Sequence, residues 1–144
     1  MPTPSEAPDN VLINKAAIIE RCLKRMSEEY RADPELRNYT HIDAMILNIE
    51  RACQAAIDAA QHLVAFHRLG VPQNSAEAFI FLERAEILSS SVVRSMIAMT
   101  GFRNVAVHEY QSLDMTVLHA IATTEYRSFV DFCREIGVRV ELPE

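Results

Sequence analysis

Residues 40–68, THIDAMILNIERACQAAIDAAQHLVAFHR, decide the fold class of this chain. The segment contains neither glycine nor proline, and alanine and other good helix formers are frequent in it. Its apolar face recurs at spacings of three and four residues, at Ile42, Met45, Ile49, Cys53, Ala56, Ala60, Leu63 and His67. This period predicts one long amphipathic helix. Thr40 and Asp43 resemble a capping box at its start.

Helix breakers divide the rest of the chain into similar segments. The three glycines, Gly70, Gly101 and Gly137, all fall between apolar helical patterns. The sequence therefore predicts helices over about 10–31, 40–68, 74–88 and 89–100, a short helical piece around Arg103, and a last helix over 115–136. No strand pattern stands out, so the fold class is all-α. We divide the chain into a disordered leader (1–9), a helical domain (10–137) and a short C-terminal tail (138–144).

Composition excludes several classes of protein. The 144 residues include 14 basic and 20 acidic side chains, for a net charge of −6. An acidic chain binds nucleic acid poorly unless it has a local cationic cleft. No signal peptide or membrane-spanning segment is recognisable, and three scattered cysteines without a CxxC pair fit a reducing compartment. We expect a cytoplasmic protein with buried thiols and no membrane association.

Candidate chemistry is concentrated in Arg103–Tyr110, RNVAVHEY, where a guanidinium, an imidazole and a phenol lie close in sequence. On an ideal helix Arg103 and Tyr110 would share a face, about 20° apart, as would Asn104 and His108. Arg103 and His108 would be about 140° apart. Either the helix ends near His108, or the cluster faces a second copy across a two-fold axis, where paired arginines and histidines form a cationic groove.

An arginine, a histidine and a tyrosine at this spacing also occur by chance. Taken alone, they fit a structural role in which the arginine pairs with a carboxylate, the histidine caps a carbonyl and the tyrosine packs. Further residues favour the functional interpretation. The stretch 101–110, GFRNVAVHEY, resembles the R-x-x-x-x-H-x-Y signature of the HEPN superfamily, and most closely that of the HepT toxins. Residues 48–58, the Gly70-Val71-Pro72 turn and the segment from Phe79 to Leu82 extend the resemblance to about residues 10–137.

The resemblance implies a dimeric HEPN-like bundle of about five helices, with the motifs at the dimer interface. It implies a metal-independent endoribonuclease toxin that needs no cofactor and cuts transfer or messenger RNA. Arg103 and His108 would be catalytic, with Asn104 and Tyr110 auxiliary. It also implies a nucleotidyltransferase antitoxin of the MntA type that attaches AMP to Tyr110, within a homodimer or a larger hetero-oligomer.

The alternative is a catalytically silent helical module that binds a nucleotide or regulates a partner nucleotidyltransferase. The remaining histidines, His41, His62, His67 and His119, favour surface or capping roles. They lack the spacing of a metal site, and we expect no metal.

Overall fold

The computed structural model describes residues 9–143, so nearly all of the predicted leader lies outside the described residues. Within that range the chain forms six α-helices and no strand. They are α1 (Asn10–Ala32), α2 (Tyr39–Phe66), α3 (Ser75–Arg84), α4 (Ser90–His108), α5 (Met115–Ala120) and α6 (Arg127–Glu135). The prediction of an all-α fold is confirmed. None of the helices in residues 9–143 has an apolar stretch long enough to cross a membrane.

Side-chain caps set the start of five of the six helices. In each case a side-chain oxygen accepts a hydrogen bond from a first-turn backbone N–H, which an isolated helix would leave unpaired. The capping residues are Asp9, Asn38, Asn74, Ser89 and Asp114. The expected capping box of Thr40 and Asp43 is wrong, because Asn38 accepts the bond from Thr40 N at 2.9 Å. Asp43 therefore lies beyond the cap, inside α2, and its carboxylate makes a different contact.

The α4 helix runs through Gly101 without a break, so the predicted division near Thr100 is also wrong. A glycine inside a helix costs only about 1 kcal/mol relative to alanine. The apolar side chains of α4 stay buried on both sides of Gly101, and their packing outweighs that cost. They are Val92, Val93, Met96, Met99, Phe102 and Ala106.

Two further predictions need correction. The segment predicted as a single last helix contains a π-helical turn at Ile121–Glu125, which separates α5 from α6. The α3 helix ends at Arg84, not near Leu88, and Glu86 in the following turn has a φ of 62°. Both differences concern local backbone geometry that an apolar period of three and four does not encode.

The core is a single cluster in which α1 pairs extensively with α2 while α3, α4 and α6 cover the remaining face. Phe79 of α3 and Phe132 of α6 meet edge to face, with ring centroids 5.8 Å apart. Val138 and Val140 are buried in the same cluster, so the first part of the predicted tail packs on the domain. Cys22, Cys53 and Cys133 are free and buried, as expected.

The unbroken path of α4 through Gly101 predicts the sign of two alanine substitutions. A Cβ at Gly101 would meet no atom within 4 Å, whereas Gly137 has a φ of +90° that disfavours any Cβ. We expect Gly101→Ala to raise the free energy of unfolding by about 0.5–1 kcal/mol, and Gly137→Ala to lower it by at least as much. Urea unfolding followed by circular dichroism measures both. Destabilisation by Gly101→Ala would contradict an uninterrupted α4.

Candidate functional site

The C-terminal end of α4 presents the polar cluster on two different faces. Asn104 and His108, four residues apart, lie on the exposed side of the helix. Arg103 follows Met96, Met99 and Thr100 around the buried side and is only partly exposed. The helix ends at His108, where Glu109 leaves helical geometry with φ −139° and ψ 51°. The helix therefore ends at His108, as one of the two alternatives expects, but Arg103 and His108 both lie within it and still point in different directions.

Arg103 holds a polar atom that the protomer does not satisfy. Its Nε is buried, yet it has no hydrogen-bond partner among residues 9–143. Its positive charge lies near the Cys53 thiol of α2, whose pKa burial raises to about 12, and the charge of Arg103 opposes part of that rise. A buried donor without a partner costs on the order of 1–3 kcal/mol. The unpaired Nε of Arg103 therefore lowers the stability of the folded protomer.

Tyr110 lies beyond the end of α4 and does not share a helical face with Arg103. It begins a short 3₁₀ turn, Tyr110–Ser112, so the shared helical face expected for Arg103 and Tyr110 is wrong. The turn directs the phenol towards α2, where its hydroxyl donates a hydrogen bond to Asp43 Oδ1. Burial, followed by this hydrogen bond and the charge of Asp43, raises the pKa of Tyr110 to about 12. Tyr110 is therefore a neutral phenol at physiological pH.

A cleft of about 440 Å³ opens beside Tyr110. Tyr39, the first residue of α2, stands on its wall with 76% of its surface exposed, and Tyr110 is 43% exposed. Apolar and polar side chains complete the lining, namely Leu36, Arg37, Ile42, Gln111, Leu113 and Met115. Two exposed aromatic rings with Arg37 beside them are suited to bind a nucleobase and its phosphate.

Sequence reasoning missed both Tyr39 and Asp43 as members of this site. The sequence pattern predicts a capping role for Asp43 and starts the helix at Thr40, one residue after Tyr39. The one signal in the sequence is Asn38, a strong N-cap residue, which would start the helix at Tyr39 and place both side chains in its first turns. Their approach to Tyr110, 67 residues away from Asp43, depends on how α2 packs beside α4.

Three of the four remaining histidines have side-chain partners. His41 Nδ1 lies 2.5 Å from Glu29, His62 Nε2 lies 2.5 Å from Asp9, and His119 Nδ1 lies 3.0 Å from the Tyr30 hydroxyl. His67 is the C-cap residue of α2. Across residues 9–143, no three His, Cys, Asp or Glu side chains converge as metal ligands would.

An all-helical bundle with an arginine, a histidine and a tyrosine at this spacing, on the end of one helix and the turn after it, has the features of a HEPN protein. Residues 13–136 match the family described as "Ribonuclease HepT-like", and the chain belongs to that family. The resemblance stated from sequence is confirmed.

Individual relatives agree with the family assignment. The chain is 33% identical over 125 residues to the mRNA nuclease HepT of Shewanella oneidensis, which covers 86% of this chain and 94% of that protein. It is 29% identical over 84 residues to the tRNA nuclease HepT of Aphanizomenon flos-aquae, covering 58% of this chain and 57% of that one.

Solved structures of toxin–antitoxin complexes have the same fold. The tri-AMPylated HEPN toxin of Shewanella oneidensis, in complex with its MNT antitoxin, superposes with a TM-score of 0.85 at 32% identity. That match covers 89% of this chain and 97% of the toxin. A toxin–antitoxin structure with AMP-PNP gives the same TM-score and identity, covering 89% of this chain and 98% of that one. This chain is therefore a HepT-type toxin by family and by fold.

The unpartnered Nε of Arg103 predicts that this arginine is kept for function at the expense of stability. Methionine has a similar length and no polar atom to leave unsatisfied. We expect Arg103→Met to leave the free energy of unfolding unchanged or to raise it by about 1 kcal/mol. Urea unfolding measures the change, with Arg94→Met, on the exposed side of the same helix, as the control. A loss of several kcal/mol at Arg103 alone would identify a structural ion pair instead.

Proposed function

We propose that this chain is a metal-independent endoribonuclease toxin that cleaves RNA with Arg103 and His108. The observation that carries the proposal is the buried, unpartnered Nε of Arg103, which lies five residues before an exposed imidazole. A guanidinium binds phosphate oxygens through a fixed fork of donors. Imidazole is the side chain best suited to move protons near neutral pH. Together they supply what cleavage of a phosphodiester by transesterification needs, with the neighbouring 2′-hydroxyl as the nucleophile.

The reaction follows from those two groups. His108 takes the proton from the 2′-hydroxyl, and the 2′-oxygen attacks the adjacent phosphorus. Arg103 stabilises the charge that develops on the phosphorane oxygens. The His108 imidazole of a second protomer protonates the leaving 5′-oxygen, and the product is a 2′,3′-cyclic phosphate. Asn104, exposed on the same face as His108, donates a hydrogen bond to phosphate or orients the imidazole.

The placement of Arg103 and His108 favours a homodimer. On the continuous α4 helix their directions differ by about 140°, so one protomer does not aim both at the same phosphorus. A two-fold axis along this end of α4 would bring His108 of one protomer towards Arg103 of its partner. Val107, between them in sequence, is 42% exposed and would be covered in such an interface.

Single-stranded RNA fits the cleft next to the motif. Tyr39 and Tyr110 offer flat aromatic surfaces, and stacking on them is worth about 1–3 kcal/mol per base irrespective of sequence. The two named relatives act on messenger and on transfer RNA respectively. RNA is the substrate common to both, and no residue of this cleft selects one RNA class over the other.

Regulation would act on Tyr110. We propose that a nucleotidyltransferase antitoxin, of the kind bound to the Shewanella toxin, attaches AMP to this phenol. The added nucleotide brings bulk and negative charge to the mouth of the cleft, and both oppose the approach of an RNA phosphate. Tyr110 is exposed enough for this modification in the folded protein.

The proposed cleavage mechanism can be tested with a protein variant and with a modified substrate. His108→Ala should lower the rate of RNA cleavage by about 10²–10⁴ and relieve toxicity on expression without the antitoxin, with the helical circular dichroism spectrum retained. A substrate with 2′-deoxyribose at the cleaved position should not be cut. Toxicity that survives both His108→Ala and Arg103→Ala would favour the silent binding module, and cleavage of the deoxy substrate would refute attack by the 2′-oxygen.

The regulatory proposal is tested by mass spectrometry of the toxin after co-expression with its nucleotidyltransferase. We expect one or more AMP units on the peptide that contains Tyr110, and RNA cleavage suppressed in proportion to that modification. The Tyr110→Phe variant should carry no AMP. AMP found only on other peptides would contradict the assignment of Tyr110.

A further inference from the structure

Asp43 is the one acidic side chain that the structure brings onto the hydroxyl of Tyr110 among residues 9–143. It lies on the first turns of α2, after the Asn38 cap, and it is exposed and forms no salt bridge within the same residues. Its carboxylate has no structural task in the helix cap. Its hydrogen bond from Tyr110 joins α2 to the turn that follows α4, at the edge of the cleft lined by Tyr39.

A phenol needs help to act as a nucleophile here. With its pKa raised to about 12, Tyr110 is ionised to only roughly one part in 10⁵ at pH 7. A negative carboxylate at this position opposes a phenolate formed in advance, but it is well placed to accept the proton while the new bond forms. A hydrogen bond from the hydroxyl also fixes the direction in which the oxygen presents its free lone pair.

We propose that Asp43 is the residue that positions the Tyr110 hydroxyl and takes its proton when AMP is transferred to it. The inference rests on the proposed modification of Tyr110. In this step the bond between Tyr110 Oη and the α-phosphorus of ATP forms, and the bond from that phosphorus to the bridging oxygen breaks. Pyrophosphate leaves, and the phenolic proton passes to the Asp43 carboxylate. The toxin thereby supplies the general base for its own inactivation.

The substitution Asp43→Asn distinguishes a proton-accepting role from other roles of Asp43, because these roles predict opposite changes in the rate of AMP transfer. Asparagine keeps the shape and an acceptor oxygen, but it loses the charge and nearly all of the basicity. If Asp43 only suppressed phenolate, or only held Tyr110 away from the antitoxin, the substitution would speed AMP transfer. If Asp43 takes the proton, the substitution slows it.

The experiment is a single-turnover measurement with radiolabelled ATP and a saturating amount of the co-purified nucleotidyltransferase. We expect Asp43→Asn to lower the rate constant of AMP transfer to Tyr110 by at least tenfold, with the dissociation constant of the toxin–antitoxin complex unchanged. Asp43→Glu, which keeps a carboxylate, should restore part of the rate. Asp58→Asn is the matched control, since Asp58 lies on the same helix about 22 Å further along, bonded to Lys15 and Gln54.

A transfer rate for Asp43→Asn equal to or faster than that of the wild type would overturn the inference while leaving Tyr110 as the modified residue. A slower rate that Asp43→Glu does not improve at all would assign Asp43 to local structure, and would also overturn it. If the wild-type chain acquires no AMP on Tyr110, the proposed regulation itself is wrong, and this inference with it. The three failures are therefore distinguishable.

Discussion

The contact between α2 and α4 is the constraint on which the rest of the structure depends. The buried side of α4 packs against the bundle through residues on both sides of Gly101, and the Cys53 thiol of α2 bonds to the Met99 carbonyl at 3.5 Å. This packing places Arg103 on the partly buried side of α4 and leaves Asn104 and His108 exposed to solvent. It also fixes where the chain goes after His108, and hence which residue Tyr110 can meet. The polar site is therefore a product of apolar packing.

Two polar groups of the site are in energetically unfavourable environments within the protomer. The guanidinium of Arg103 has a buried nitrogen without a hydrogen-bond partner in residues 9–143, and the phenol of Tyr110 has an elevated pKa because burial and Asp43 both disfavour its charge. Such arrangements cost stability and tend to be found where a ligand or a reaction removes the cost. His108 differs from Arg103 in this respect, because its side chain is exposed and leaves no polar atom buried.

The apolar period of α2 predicted a helical architecture, and the eight-residue motif predicted the family; both the architecture and the family are confirmed. It failed where tertiary packing overrides a local signal. Gly101 predicts a helix break, yet the burial of apolar residues on both sides of it stabilises a continuous α4. Thr40 and Asp43 read as a cap, yet Asn38 competes successfully for the same backbone donor. The pairing of Asp43 with Tyr110 joins residues 67 apart in sequence, and no single-sequence pattern reports such a contact. The roles of Arg103, Asn104, His108 and Tyr110 stay predictions.

The short turn that carries Tyr110 has a consequence for the timing of control. Because this residue lies beyond the last turn of α4, on the surface, the proposed transferase would reach it without opening any helix of the bundle. An inhibitor of that kind would act on the folded protein, and it would not have to intercept the chain during synthesis. Silencing can then lag behind translation, and its reversal would require only removal of the attached group, not the production of new protein.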